Sequence, residues 1–413
     1  MNRLYNIIFK IFVVVIILIL IIFATSSSYS SESIDKLAYV VALALDTGSD
    51  NNIKLTIQLA NPNSYSSETS SQSSASVLTS VECSSIESGV NLLNSYISRN
   101  INLSHCKAII ISEELAIKGI TKYMYDLCNN VEVSSHANII ITKCTALEYL
   151  KMSNPILESF SARYYQIAPT SSKYTGYTNS IPLIDFFNSV LDTFKQPVAT
   201  LGNINVESTH LNVSDTDITN KDSSYVAGQT PITSSNNVES MGIAVFRSGT
   251  LVGELNGLES ICHMIVSGEL KYCNVQISDP QGHEEDIDLN IKLSGKPKCY
   301  VKFVNGFPYV DINVKLNVRV LTIDQDCDYS NKKVVQSLED EVNEYFEKII
   351  LDYLYKTSKE FNSDIDGFGK YAVKYFSTLE EWNNYKWLDN YKNCFFNIEV
   401  NSKIKSGYSF ISV

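Results

Sequence analysis

The sequence predicts an α+β protein of several mixed α/β layers, with antiparallel sheets packed against helices behind an N-terminal membrane segment. Three observations predict it: an apolar run opens the chain, short strands and helices alternate through the first half, and the second half is a succession of strands followed by one long amphipathic helix. The chain has 413 residues, 44% hydrophobic and 19% charged. That is the composition of a globular protein too large for one core, so two or three domains are expected. Net charge is −12. An acidic body gains nothing from an anionic membrane face or from nucleic acid, which excludes polybasic membrane binding and DNA binding. The nine cysteines show no CxxC and no regular spacing. They read as small buried hydrophobes and not as a disulfide framework.

Arg3 and Lys10 precede a run from Ile11 to Ala24 that is apolar throughout, and no charge follows until Glu32. A basic flank, an apolar centre and a small polar exit make an export segment or a membrane anchor over residues 1–30. Since the positive charge lies before the run, the remainder is expected outside the cytoplasm. The N-terminal α/β region is assigned to 31–205, with two subdomains. Ile34 to Asp46 and Ile53 to Pro62 read as a β-hairpin with one wet face, followed by a serine-rich loop over 63–80. Ser84 and Glu87 fit a capping box ahead of Ile86, Val90, Leu93 and Ile97 at helical spacing. Ile109 to Ile111 form a strand that enters a helix capped by Ser112, with Glu113 and Glu114 at its positive end. Ala137 to Thr142 is a further strand and Ala146 to Lys151 begins a further helix. Pro182 to Phe194 reads as a helix with proline in its first turn.

The polar stretch 206–239 loses periodicity and reads as a linker or long loop. The C-terminal α+β domain, 240–413, opens with a hairpin turning at Ser248 and Gly249. Strands are expected at 273–277, 287–293, 299–304, 309–323 and 395–404, as an antiparallel sheet. The helix over 333–361 carries Leu338, Val342, Phe346, Tyr353 and Leu354 on one stripe, to be packed on that sheet.

Catalytic constellations are absent from the sequence: it has no GxSxG, HExxH, P-loop or dinucleotide fingerprint. Ser104, His105 and Cys106 are adjacent, but neighbours in an extended segment point to opposite faces and make no nucleophile–base pair. His136, His210, His263 and His283 have no companion motif. Cys262, His263 and Cys273 lack metal-ligand spacing. Gly367 to Lys370 follows a helix instead of a strand and reads as a turn, not a phosphate cradle. Glu113 with Glu114, and Glu284 with Glu285, could serve as acid and base only if the fold brought them into one cleft. No catalytic, cofactor-binding or metal residue is assigned, and no cofactor is expected.

Four segments fall in one order across almost all of the chain: IDKLAYVVALALD with IKLTIQLANP; LSHCKAIIISEELAIKGI; GIAVFRSGTLVGELNGLES; and FNSDIDGFGKYAVKYF followed by Trp382 and Trp387. In that order the chain resembles the Ger(x)C family, the C subunits of spore germinant receptors. The resemblance implies a non-enzymatic subunit of a three-part receptor at the outer face of the inner spore membrane, needed for nutrient- or germinant-triggered germination. Its partners would be the polytopic A and B subunits, and its fold three mixed α/β domains. Such proteins typically carry a lipid-modified cysteine just ahead of the segment matching Ile34 to Asp46. Here that region is ATSSSYSSES, and the first cysteine is Cys83. The apolar run is therefore expected to stay as an N-in, C-out signal-anchor, with cleavage near Ser28 as the other possibility. A second function stays open beside the first, that of a membrane-anchored extracytoplasmic binding protein for a small solute or cell-wall fragment.

Overall fold

The computed structural model describes residues 2–26, 36–60, 76–155, 157–158, 161–205, 223–280, 286–322 and 331–405. The first element is the helix α1 (Asn2–Ser26), 25 residues long. Its side chains from Tyr5 to Leu20 stand exposed around the whole circumference, from Val13 at 39% to Tyr5 at 77%. Among the described residues no helix is long and apolar enough to cross a membrane.

The first sheet is built from β1 (Leu37–Thr47), β2 (Ile53–Ala60), β3 (Ser76–Cys83), β4 (Asn100–Asn102), β5 (Ala108–Ser112), β6 (Asn138–Thr142), β7 (Val198–Ile204), β8 (Val238–Arg247) and β9 (Thr250–Leu255). Its order is β3-β2-β1-β5-β6-β7-β8-β9, with β4 beside β1. Between these strands run α2 (Ile86–Tyr96), α3 (Glu113–Lys118), α4 (Thr121–Asn129), α5 (Ala146–Met152), α6 (Ser161–Ile167), α7 (Ser172–Thr175) and α8 (Leu183–Leu191). The expectation of antiparallel sheets is corrected at its centre: β1, β5, β6 and β7 are mutually parallel, because each return passes through helices. The β1–β2 hairpin forms as expected, but it has no wet face. Leu43, Leu45 and Leu55 face a layer containing α2 and α4, while Ala42 and Ala44 face Tyr149, Leu150 and Tyr165 of α5 and α6. Burial on both faces is the rule for strands flanked by helical crossovers.

Several boundaries move. The capping box of α2 belongs to Ser85 and Ser88, one residue beyond Ser84 and Glu87. Ser76 to Ser80, read as loop, is part of β3, and the rest of that loop lies outside the described residues. Pro182 is the N-cap of α8, which ends at Leu191. Residues 206–222 lie outside the described residues, whereas 223–237 pack on the body: Ala227 is buried, and Glu239 accepts hydrogen bonds from Gly228, Thr230 and Asn205. The hairpin that turns at Ser248, whose φ is +56°, is added to the first sheet by β7–β8 pairing.

The second sheet comprises β10 (Cys273–Ile277), β11 (Ile287–Leu293), β12 (Lys298–Val304), β13 (Phe307–Val320) and β14 (Phe395–Ile404). Strands β10 to β13 pair antiparallel, but β14 runs parallel to β13. The crossover between these two contains α10 (Lys332–Tyr355), which ends in one π-helical turn at Lys356–Glu360 instead of continuing to 361. It also contains α11 (Gly369–Ala372), α12 (Leu379–Tyr385) and α13 (Trp387–Asn390). Residues of β13 alternate strictly, with Val310, Ile312, Val314, Leu316 and Val318 buried against Leu338, Val342, Phe346 and Ile350 of α10. The helix α9 (Gly257–Ser267) is absent from the sequence reading. It is buried on all sides, Ser260 to Val266 without interruption, so it has no polar face to betray a helical period.

Candidate functional site

The chemistry-bearing residues converge where the two sheets meet. In the loop after α10, Asp364 is fully enclosed. Its carboxylate accepts hydrogen bonds from the backbone N–H of Gly367 (2.8 Å), Phe368 (3.0 Å) and Gly369 (3.0 Å) and from Trp387 Nε1 (2.7 Å). Gly367 makes this possible at φ +72°, a conformation that side chains with a Cβ adopt only with strain. The glycine-bearing turn is thus a cradle of N–H groups filled by the chain's own carboxylate. Burial pushes Asp364 up from 3.8 to about 6, against the lowering effect of the Trp387 and backbone hydrogen bonds.

Two residues on, Asp366 accepts from Tyr353 Oη (2.8 Å) and meets His263 Nδ1 (2.9 Å). His263 Nδ1 also lies 3.1 Å from the Tyr353 hydroxyl, and its Nε2 lies 3.4 Å from Asn179 Nδ2. Burial holds the Tyr353 phenol well above its ordinary value, so it serves as a donor. His263, which has no companion motif in the sequence, therefore ties α9, α10 and the 364–369 loop into one polar core. The side chains of His263 and Asp366 are 1% exposed. Satisfied and closed to solvent, such a network specifies packing, and offers no accessible nucleophile.

Above this core lies a cleft of about 300 Å³, walled by Phe194 and Lys195 from the first half and by Lys296, Cys299, Asp366 and Lys370 from the second. The halves are joined around it. Gln196 N–H donates to Asp364 O (2.8 Å), Ser363 Oγ to Phe246 O (2.6 Å) and Trp382 Nε1 to Thr193 Oγ1 (3.1 Å). Phe194 stacks on Trp382 with ring centroids 5.2 Å apart, and Trp382 stacks on Trp387 at 6.0 Å.

The other candidates are not brought together. Ser104 bonds to Asn102, His105 packs edge-on against Tyr39, and the buried Cys106 donates to Ala108 O (3.3 Å). Burial pushes the Cys106 thiol up to about 12, far from a reactive thiolate. Glu114 pairs with Lys118 (2.8 Å), while Glu113 lies on the Lys143–Glu254 side, its carboxyl raised by burial. His210, His283, Glu284 and Glu285 lie outside the described residues. Among the described residues no group of three or more His, Cys, Asp or Glu is placed to hold a metal.

The junction joins the two stretches that known proteins resemble. Residues 30–204 match the spore germination protein N-terminal domain, and residues 241–407 match the spore germination B3/GerAC-like C-terminal domain. The chain belongs to this germination family. Spore germination protein KC of Bacillus subtilis (strain 168) is 20% identical over 365 residues, 87% of this chain and 86% of that protein. The crystal structure of the GerBC protein is matched over 88% of this chain and 97% of that one, at 17% identity and a TM-score of 0.49. The family assignment places the protein in spore germination, and its fold is a mixed α/β one of sheets and helices.

Proposed function

We propose that the protein is the C subunit of a spore germinant receptor: membrane-attached, exposed at the outer face of the inner spore membrane, and assembled with polytopic A and B subunits. The observation that carries this reading is the succession of both family domains, in order, over residues 30–204 and 241–407. In this reading the chain performs no chemistry of its own. Its buried histidine and carboxylates hold the two halves as one body on which partners dock.

Attachment falls to α1. A helix whose residues from Ile11 to Leu20 are all apolar and exposed has no partner in water, and contiguous apolar surface of this extent is the signature of a membrane or protein contact. Lys10 and Arg3 before the run favour an N-in orientation. An uncleaved helix anchors at least as firmly as acyl chains. The mass of the mature N-terminus checks this part: an intact start supports the anchor, and a start near Ser28 replaces it with retention through partners.

The assembly is tested by tagging the C-terminus and purifying the protein in detergent from spore inner membranes. Recovery together with one large multi-span and one transporter-like protein is the expected result. Recovery alone, from membranes in which both of those proteins are present, would overturn the assignment.

A further inference from the structure

The first sheet is buried on both faces at β1, β5 and β6. The second is not: α10 covers its inner face, and the residues of β13 that alternate with the core, from Phe307 to Arg319, lie on an outer face with no helical layer on it among the described residues. At the far end of β13 the register gathers cations on that face. Asn317 lies between Lys292 of β11 and Lys403 of β14. Two residues before and after it on β13 stand Lys315 and Arg319, and Lys405, whose N–H donates to Val318 O (2.8 Å), follows Lys403 beside Arg319. All five cations are exposed. Side chains paired across strands have Cβ atoms about 4.5–5.5 Å apart and diagonal neighbours about 7–8 Å, so the five charges form one patch with no carboxylate inside it.

The carboxylates at the borders of the patch are engaged elsewhere. Asp288 accepts from Thr322 Oγ1 (3.1 Å), and Glu399 from Asn313 Nδ2 (2.8 Å) and Asn401 Nδ2 (3.1 Å). Among the described residues none of the five cations is in an ion pair. Like charges set side by side on a sheet destabilise it, and an anion laid over them removes that cost. The net charge of −12 conceals the patch, so an argument from composition against polybasic membrane binding holds for the chain as a whole and not for this face. Four of the five cations are lysines. Lysine is depleted from protein–protein interfaces, and its ammonium meets a phosphate as a point charge with no demand on geometry. The other end of the same face exposes Tyr300, Phe307 and Phe395, at 56%, 48% and 41%. Aromatic rings beside lysines on one open face suit the layer where a membrane meets water.

We infer that the outer face of the second sheet lies on an anionic phospholipid surface, with Lys292, Lys315, Arg319, Lys403 and Lys405 over the lipid phosphates and the aromatic end in the headgroup layer. The inference rests on the membrane attachment proposed above and adds to it the face that meets the lipid and the charge that lipid carries. An anchored body is held close to the bilayer, so an electrostatic contact too weak to recruit a free protein is enough to orient this one.

The full chain, purified in detergent and placed in lipid nanodiscs, tests it through the rate of lysine acetylation, read residue by residue by mass spectrometry. Discs of phosphatidylcholine are compared with discs in which about 30% of the lipid is phosphatidylglycerol. In the anionic discs Lys292, Lys315 and Lys403 are expected to react at least about threefold more slowly than in neutral ones, and about 0.5 M sodium chloride to abolish the difference. Lys348, exposed on α10 at the opposite side of the sheet, should react alike in both. Arg319→Gln combined with Lys405→Gln should remove most of the protection of the other three. Retention of the chain in neutral discs reports the α1 anchor by itself, so the two readings fail separately. The inference is overturned if the rates are equal in the two kinds of disc, or if inorganic phosphate added to neutral discs protects as well as the lipid does. Protection found only in native spore membranes would also overturn it, in favour of a protein partner. So would slow reaction in neutral discs that Asp324→Asn, Asp326→Asn and Asp328→Asn together relieve, since the occupant is then the chain's own segment.

Discussion

Asp364 shows how one side chain can organise a junction. Three backbone N–H groups and an indole N–H converge on it, so Asp364→Ala leaves four buried donors unpaired and is expected to lower stability by about 3–5 kcal/mol in urea unfolding. Asp364→Asn, which keeps one acceptor oxygen, should lose less. The same carboxyl makes stability depend on pH. In the unfolded chain it ionises near 3.8, whereas in the folded protein burial raises it to about 6. Between those values the folded state binds the extra proton, so this group's contribution grows as pH falls from 7 through 6 and is lost as pH rises again, to a limit on the order of 3 kcal/mol. Melting at pH 7 and pH 5 checks the sign: the parent should gain more on acidification than Asp364→Asn, and equal gains would refute it. Neither Asp364 nor His263 was legible as a site in the sequence. His263 meets Asp366 across 103 positions of chain, and only the fold converts that separation into contact. The glycines of 367 and 369 did mark a turn, but not that its N–H groups face inward onto a carboxylate.

At the scale of elements, α10 and β14 form a unit whose polar half escaped the sequence reading. The apolar stripe of α10 packs on the sheet as its spacing predicts. Its flank carries Glu339, Asn343 and Glu347 four residues apart, and these accept the N–H groups of Ile404 (2.8 Å), Ser402 (2.7 Å) and Val400 (2.9 Å) in turn. In isolation such a row reads as a solvated helix face with one-turn spacing. In the fold it seals the outward edge of β14, which pairs with β13 on its other side, and an unsealed edge is a template for aggregation. Asn343→Leu keeps the size of the side chain and removes the acceptor, so it is expected to cost about 1–3 kcal/mol. It should also speed hydrogen exchange at Ser402 selectively. Uniform exchange across β14 would mean that the edge does not depend on this bond. The missed helix α9 has the same cause in reverse. Asn256 and Glu259 form a capping box that the sequence displays, but a helix buried all round lacks the amphipathic period by which α10 was found.

For the molecule as a whole, the strand pattern was readable and the way the halves interlock was not. Alternation marked β2 and β13, since period two follows from the pleat itself, and continuous apolar or β-branched runs marked β1, β5 and β6, whereas β3, β4 and β7 escaped the sequence reading. Which sheet a strand joins depends on distant pairing, and so the hairpin β8–β9, which opens the second half in sequence, completes the sheet of the first. From there the second half reaches back: Phe361 packs so tightly on Gly253 that a Cβ there would lie 2.3 Å from its ring, and Arg247 pairs with Asp389 at 2.5 Å. The chain's two tryptophans both lie in this contact, buried, with Trp382 bonded to Thr193 and stacked on Phe194. Tryptophan fluorescence, excited beyond the tyrosine band, therefore reports the junction. Phe194→Ala removes the half-buried ring that covers Trp382 and should lower stability by about 2 kcal/mol. It should shift tryptophan emission to longer wavelength at neutral pH before any loss of far-ultraviolet circular dichroism. That order of events is the discriminating result, because Phe194 takes part in no strand pairing of β7 with its neighbours and the sheets can keep theirs. Emission unchanged from the parent would show that the halves are not held through this aromatic stack, and loss of both signals together would show that neither half keeps its sheets without the other.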